Sequence, residues 1–508
     1  MKPGARSAGA GAAPNGHRRR TVPLAALLRA LPTARLEGSG ATEITGLAYD
    51  SRAVQPGHLF FALPGTKTDG GLFLEDALRR GAVAAAHEQN VRVPRGLVGV
   101  CVDNARAALA DLAADFYERP SETLPVIGVT GTNGKTTTVF MIRDILRAAG
   151  RSCGLIGTIR YEIGGRSISA ARTTPEALDL QRMFAEALQA GCRALAMEVS
   201  SQGLAAERLR GTRFAAAVFT NLSADHLDFH KTMEAYFEAK KRLFGMLGGP
   251  AAPVVVNLED AYGRRLAAEP DLASRLVTYG FRADAMVRAE NLRLAETGSA
   301  FSVQAPWGAV DVELPLAGRF NVLNALAALA VGGAMGVSGD AIAAALAGLQ
   351  PVPGRLERIP DPKGRHLFVD YAHTEDALRN VLQTLRETVP GRVVCLFGCG
   401  GDRDRSKRPR MGAAVSEWAD FAVVTSDNPR SEEPAAIIGE IVAGLDRAKP
   451  HWVEPDRARA IRAALDAARP GDAVLFAGKG HETYQEIAGR LTPFNDAEVV
   501  RAALAEGL

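Results

Sequence analysis

Cysteine is scarce in this chain. There are five in 508 residues (Cys101, Cys153, Cys192, Cys395 and Cys399), an odd number with no CxxC spacing. That excludes a disulfide framework or a cysteine zinc site and fits a reducing compartment. A charge excess is missing too. The 60 Lys+Arg against 57 Asp+Glu leave +3, too balanced to argue for a nucleic-acid or membrane-surface partner. Long apolar runs are absent: the longest, Ala325 to Val337, has 13 residues, largely Ala and Gly, against the roughly 18 a membrane span needs. Acids are absent from the first 36 residues, which carry Arg18, Arg19 and Arg20. A signal peptide would need an unbroken apolar stretch after those charges, and Arg29 cuts Leu24–Leu28 short. A transit peptide fits the composition. A disordered basic extension over 1–36 is the preferred reading, with the chain placed in the cytoplasm.

What is present points to a globular α/β protein. A hydrophobic fraction of 47% with 23% charge excludes disorder and collagen, and the length suggests about three domains. The first block, 37–122, holds short β-type runs such as Glu43–Leu47 and His58–Ala62. The second, 123–352, opens on Leu124–Thr130, an apolar run typical of a strand buried on both faces. The third, 353–508, repeats an apolar strand followed by a polar loop. The strands are Leu367–Val369, Val393–Phe397, Phe421–Thr425 and Ala473–Ala477; the loops carry Asp370/His373, Asp402/Arg403, Asp427–Arg430 and Lys479–Glu482. Ligands of open parallel sheets sit beyond the carboxyl ends of strands, so four polar clusters there predict one site. The alternative is unrelated solvated loops.

Between the buried strand and a helical pattern lies Gly131-Thr132-Asn133-Gly134-Lys135-Thr136-Thr137. Glycines let backbone N–H groups turn toward phosphate oxygens, and the helix amino end adds a favourable dipole. Lys135 is placed to reach the β/γ-phosphates and the Thr136 hydroxyl to hold Mg²⁺. Val129 stands where the strict motif has its first glycine, which makes the loop a variant form. It predicts a nucleoside triphosphate site.

Residues 233–247 show a helical apolar stripe of Met233, Tyr236, Phe237, Leu243, Phe244 and Leu247, in which Lys240 occupies an apolar position. Desolvation there should lower its pKa. A neutral amine can act as a base or take up CO₂ as a carbamate; the bland alternative is a snorkelling side chain. Upstream, Asp225, His226, Asp228 and His230 cluster, but no further ligand set supports zinc. Glu198, ending the apolar run Ala194–Met197, is placed as a magnesium ligand or equally as a helix cap.

The motifs together resemble the Mur ligase family of peptidoglycan synthesis, from about Ala48 to the C-terminus. They are DSRAVQPG (50–57), GTNGKTT (131–137), TTPE (173–176), EVSSQG (198–203), DHLDFH (225–230), the lysine of EAK (238–240), GRFNVLNALAA (318–328), DYAH (370–373), GDRDRSKRP (401–409), DNPR (427–430) and GKGHE (478–482). The resemblance implies a first domain for a UDP sugar, a central ATPase domain with a mostly parallel P-loop-type sheet, and a C-terminal Rossmann-like domain for an amino acid. It implies a carbamate on Lys240, and two Mg²⁺ ions served by Thr136, Glu198, His226 and Lys240. Tyr49, Ser51 and the Thr66–Thr68 stretch match UDP-MurNAc contacts; Thr173, Thr174, Ser200 and Arg208 match positions that hold the muramoyl dipeptide. Arg172 and Ala206 depart from the asparagine and glutamine of a relative. Asn321, Asn324, Arg355 and Asp370 match positions around adenine, ribose and phosphates.

The activity so implied is ATP-dependent ligation of an amino acid to UDP-MurNAc-L-Ala-D-Glu by a monomer. The amino acid expected is meso-diaminopimelate, not L-lysine, because Arg430 offers a two-pronged donor for the extra distal carboxylate. Asp427, Asn428, Pro429, Arg403, Gly478 and Glu482 surround it, with Glu482 placed to balance the distal ammonium. Lysine-adding relatives lack arginine at this place. The bland alternative pairs Arg430 with Glu432 or Glu433. Rival functions are a lysine-adding or folate-directed ligase of the superfamily and a P-loop switch module.

Overall fold

The computed structural model describes residues 21–65 and 69–508. The Thr66–Thr68 stretch and the triple arginine therefore lie outside the described residues. The described residues form two compact units: one from 21–65, 69–128, 154–215 and 242–249, the other from 129–153, 216–241 and 250–508.

The first unit contains a five-stranded sheet in the order Arg35–Glu37, Val98–Cys101, Ala84–His87, His58–Phe61, Gly46–Ala48. All neighbours run parallel except the antiparallel Arg35–Glu37. Alternation along His58–Phe61 fills two cores. Leu59 and Phe61 pack with Val100, Leu109 and Leu112 on one face, while Phe60 meets Leu74, Ala77 and Ala85 on the other. This corrects the expected disordered extension for residues 22–36. Leu24 and Leu27 are buried in the first of those cores, and Arg35–Glu37 is a sheet strand. The basic composition of residues 1–36 hid that a short apolar segment, LAALL, docks as one helical turn. The same unit holds the meander Cys153–Ile156, Arg160–Ile163, Arg166–Ser169, and the buried strand Ala194–Glu198.

In the second unit, Phe214–Phe219, Val254–Asn257, Leu276–Gly280 and Val287–Ala295 run parallel in that order. Gly298–Ala305 and Gly308–Leu314 then continue antiparallel. Helix Arg319–Ala334, source of the longest apolar run, is buried nearly all round and packs on helix Lys135–Ala148. No described helix is long and apolar enough to cross a membrane.

The C-terminal sheet has the order Glu357–Ile359, His366–Asp370, Ala473–Ala477, Val393–Phe397, Phe421–Val424, His451–Val453. The last five are parallel. Apolar cores cover both faces, as continuous apolar strands require.

Candidate active site

The phosphate loop follows strand Val126–Thr130 and ends at helix Lys135–Ala148, with Gly134 at φ 86° immediately before it. A Cβ on Gly134 would lie 2.3 Å from Asn324 Oδ1, and one on Gly131 would lie 1.9 Å from Thr220 Oγ1. Both positions therefore need glycine. Asn133 is pinned through its N–H to Asn221 Oδ1 (2.9 Å) and through Nδ2 to Asp376 (2.8 Å). Lys135 curls over its own loop, donating from Nζ to the carbonyls of Gly131 (2.9 Å) and Thr132 (2.8 Å). The Thr136 hydroxyl accepts from Arg355 Nη2 at 2.9 Å. The Thr132 hydroxyl reaches Ser223 O at 3.2 Å, and Thr137 is buried.

Arg355 stacks on Tyr371, while its Nε is buried without a hydrogen-bond partner. That orphaned donor beside a glycine cradle fits a bound nucleotide. Asn324 donates to Asn321 Oδ1 (3.2 Å), which ties both expected nucleotide contacts into one helix face. Asp370 is occupied differently: its carboxylate accepts from the Leu356 and Ala372 N–H groups, so it shapes the turn that carries Arg355. Burial raises its pKa, with Arg355 opposing.

Lys240 lies near the end of helix Met233–Lys241, 1% exposed. The α-helix ends at Lys241 and tightens into a 3-10 turn at Arg242–Met246, so the expected stripe is α-helical only in its first half. Nζ of Lys240 donates to Gly131 O at 2.7 Å and sits over the Tyr236 ring. Burial, reinforced by the positive charge of Lys135, holds its pKa well below the ordinary lysine value. His226 adopts a left-handed backbone, with Asp225 Oδ1 accepting from its N–H at 2.9 Å. Burial lowers the His226 pKa against the pull of Asp225. His373 also faces Asp225, at 3.9 Å. Among the described residues no group of three or more His, Cys, Asp or Glu forms a metal cage by itself.

In the first unit, Glu198 accepts from Thr158 N–H (2.7 Å) and Oγ1 (3.0 Å), and a side chain at Gly157 would strike it. The helix after Glu198 is capped by Ser200 Oγ, which accepts from Gly203 N–H; Glu198 is no cap. Thr173 meets Thr158 at 3.0 Å, and Thr174 bridges Glu198 O and Ser200 N–H. Arg208 donates to Thr174 O and pairs with Glu176 at 3.1 Å. Arg172, one of the departures, pairs with the same carboxylate at 2.7 Å. Sequence reasoning assigned Glu176 no role, though it closes the TTPE motif and gathers two arginines. Tyr49 donates to Asp179 at 2.6 Å, and Ser51 is buried against Asp76. At Ala206, the end of the short helix, nothing in the structure explains the departure.

The expected amino-acid residues converge at the strand ends of the C-terminal sheet. Asn428 Nδ2 donates to Glu482 (2.8 Å), and Lys479, fully buried, donates to Asn428 Oδ1 (3.2 Å) and Glu482 (2.9 Å). Burial and Asp427 push Glu482 up, while Asp427 stays low because Lys479, Arg457 and His373 outweigh its own burial. Gly478 is at φ 108°, and a Cβ there would lie 2.7 Å from Asp427 Oδ2. Arg430 donates to Gly401 O (2.8 Å), with Nε 3.7 Å from Glu486. Glu432 is taken by Arg408 at 2.8 Å, so the Glu432 alternative for Arg430 does not hold. Pro429 presents its carbonyl to Gly401. Arg403 is exposed, donating to the Asp402 carbonyl. Sequence reasoning missed Lys479 as the buried cation of this group.

Three family models match the chain: "Mur ligase family, catalytic domain" over 43–117, "Mur ligase middle domain" over 129–332, and "Mur ligase, glutamate ligase domain" over 354–480. The UDP-N-acetylmuramoyl-L-alanyl-D-glutamate–2,6-diaminopimelate ligase of Solibacter usitatus is 48% identical over 465 residues, 91% of this chain and 94% of that protein. A solved structure of a ligase of the same description is 34% identical with a TM-score of 0.67, covering 96% of this chain and 99% of the other. The MurF ligase of Thermotoga maritima in complex with ADP shares the fold at 21% identity and a TM-score of 0.63, covering 91% and 97%.

Proposed function

This chain belongs to the Mur ligase family, and from that premise we infer that it is the ATP-dependent ligase that joins meso-2,6-diaminopimelate to UDP-N-acetylmuramoyl-L-alanyl-D-glutamate. The observation that carries this reading is the buried trio Asp427, Asn428 and Lys479, with half-buried Glu482 and Arg430 beside it. An amino acid with an ammonium and a carboxylate at its far end matches such a mixed-charge pocket.

The chemistry follows from the substrates. A carboxylate is too poor an electrophile to form an amide at neutral pH. Transfer of the ATP γ-phosphoryl group to the D-glutamate γ-carboxylate gives an acyl phosphate. The diaminopimelate amine attacks that carbonyl, a tetrahedral intermediate forms, and phosphate departs as the amide remains. Lys135 supplies the cation for the transferring phosphoryl, which requires Nζ to leave the Gly131 and Thr132 carbonyls it now binds. Arg355 offers its orphaned Nε to the nucleotide.

Magnesium would neutralise charge on the phosphates. Its candidate ligands are Thr136, His226 and a carbamate on Lys240, all in the second unit. The depressed pKa of Lys240 supports the carbamate, since only a neutral amine attacks CO₂. Placement in the cytoplasm and action as a monomer belong to the same reading.

The test is phosphate release with UDP-MurNAc-dipeptide, ATP and a panel of amino acids. Release should depend on meso-diaminopimelate and yield the tripeptide. Release independent of any amino acid would instead favour a P-loop switch.

A further inference from the structure

We propose that Arg408, a buried cation out of reach of any substrate, is the positioning residue that aims Arg430. It thereby sets how strongly the enzyme prefers meso-diaminopimelate to an amino acid without the distal carboxylate. The assignment rests on the role given to Arg430 under the function proposed above.

Arg408 is 0% exposed and stands in the first turn of helix Lys407–Trp418, where the helix dipole disfavours a cation. A guanidinium so placed is kept only when acceptors take its donors. Nη1 donates to Glu432 Oε2 at 3.0 Å and to Glu440 Oε2 at 2.9 Å. Nη2 donates to Glu432 Oε1 at 2.8 Å and to Gly400 O at 3.4 Å. Glu440 lies on helix Pro434–Val442, so that arm ties two helices together and goes no further toward the site. The Glu432 arm continues: its Oε1 also accepts from the Asp402 N–H at 2.6 Å.

That N–H belongs to the same peptide group as the Gly401 carbonyl, which accepts from Arg430 Nη1 at 2.8 Å. A peptide group is planar and stiff, so fixing its N–H end fixes the direction in which its oxygen holds Arg430. The neighbouring contacts leave this peptide little room. Gly401 N–H donates to Asn428 O at 2.9 Å, and a Cβ on Gly401 would lie 1.9 Å from Pro429 O. The Asp402 carboxylate accepts from the Ser431 hydroxyl at 2.6 Å and from its N–H at 3.3 Å. Asp402 and Arg430 both hold left-handed backbone, at φ 53° and 54°, which residues other than glycine keep only where their surroundings enforce it. On its other side Arg430 donates its N–H to Glu486 O at 3.0 Å, and its carbonyl accepts from Ala488 N–H at 2.7 Å. Held at Nη1, the guanidinium keeps its Nε–Nη2 edge for a two-pronged contact with a carboxylate. Glu486, 3.7 Å from Nε, is beyond hydrogen-bond distance.

The experiment measures kcat and KM for meso-diaminopimelate and for L-lysine, KM for ATP, and the melting temperature, in the wild type and four variants. Glu432→Gln and Arg408→Lys should raise the KM for diaminopimelate about tenfold, with its kcat and the KM for ATP unchanged. L-lysine does not draw on the aimed guanidinium, so its kcat/KM should hold and the preference should fall about tenfold. Glu440→Gln, which cuts the helix-tying arm alone, should keep the preference whatever it does to the melting temperature. Ser431→Ala, an exposed change that leaves the buried pair in place, should raise the KM for diaminopimelate about threefold. Unchanged preference in both Glu432→Gln and Ser431→Ala overturns the proposal, as does an equal fall in Glu440→Gln, the mark of general loosening. A folded wild type that does not use diaminopimelate at all would bring down the proposed function, and this assignment with it.

Discussion

Lys240 illustrates how one residue can be out of place by pattern and in place by chemistry. An ammonium at 1% exposure is kept by a single carbonyl at 2.7 Å and an aromatic face, too little to compensate full desolvation. We expect Lys240→Ala to lose most ligase activity and to regain part of it in added short carboxylates, measured as tripeptide formed per minute. Wild-type activity in that variant would remove Lys240 from the chemistry. Lys135→Ala should lower turnover by about 10³-fold with an unchanged melting curve, since its cation acts on charge that develops during transfer. At Arg430, a substrate lacking the distal carboxylate leaves a guanidinium without its partner. The kcat/KM for L-lysine should therefore fall on the order of 10³-fold below that for meso-diaminopimelate. Equal values would overturn the assignment.

At the scale of elements, the C-terminal strands and the phosphate loop were legible because each is written locally. Val393–Phe397 and Ala473–Ala477 are unbroken apolar runs whose observed bounds equal the expected ones, and GTNGKTT sits between strand and helix as its glycines require. The buried pairings were not legible, because they join distant segments. Asp370 could be matched to a nucleotide position from sequence, but its two backbone partners, at Leu356 and Ala372, are set by a turn that no pattern announces. Lys479 reads as an ordinary lysine beside Glu482 until the sheet brings the distant Asn428 to both. Residues 22–36 failed for a related reason: a short apolar segment among basic residues gains its helix only by docking on a core. One prediction belongs here. A Cβ at Gly400 would come 2.9 Å from Arg430 Nη1, the movable end of a side chain. Gly400→Ala should leave the urea midpoint nearly unchanged and raise the KM for diaminopimelate about tenfold by displacing that guanidinium, with the KM for ATP unaffected. A matching loss of both KM values would point to general disruption instead.

Across the whole molecule, pH acts through histidines that folding keeps neutral. Burial, with Lys407 adding repulsion, pushes His373 down to about 4. Burial with Arg355 and His373 pushes His481 down to about 3. An unfolded histidine titrates near 6.5, so the unfolded chain binds more protons below that pH. Stability should be full above about pH 6.5 and fall as pH drops toward about 4. The double variant His373→Gln/His481→Gln should flatten that fall in denaturant midpoints taken between about pH 7.5 and about pH 4.5; an unaltered slope would show that other groups set it. Order of synthesis brings a different constraint. Ala473–Ala477 is the last strand of its sheet to leave the ribosome, yet it sits in the middle, flanked by His366–Asp370 and Val393–Phe397. Until it emerges, both neighbours present open apolar edges, the kind that invite wrong partners. A nascent chain halted just short of that strand is not a protein missing its tail but one missing its keystone, and it should be met by chaperones or proteases rather than released folded.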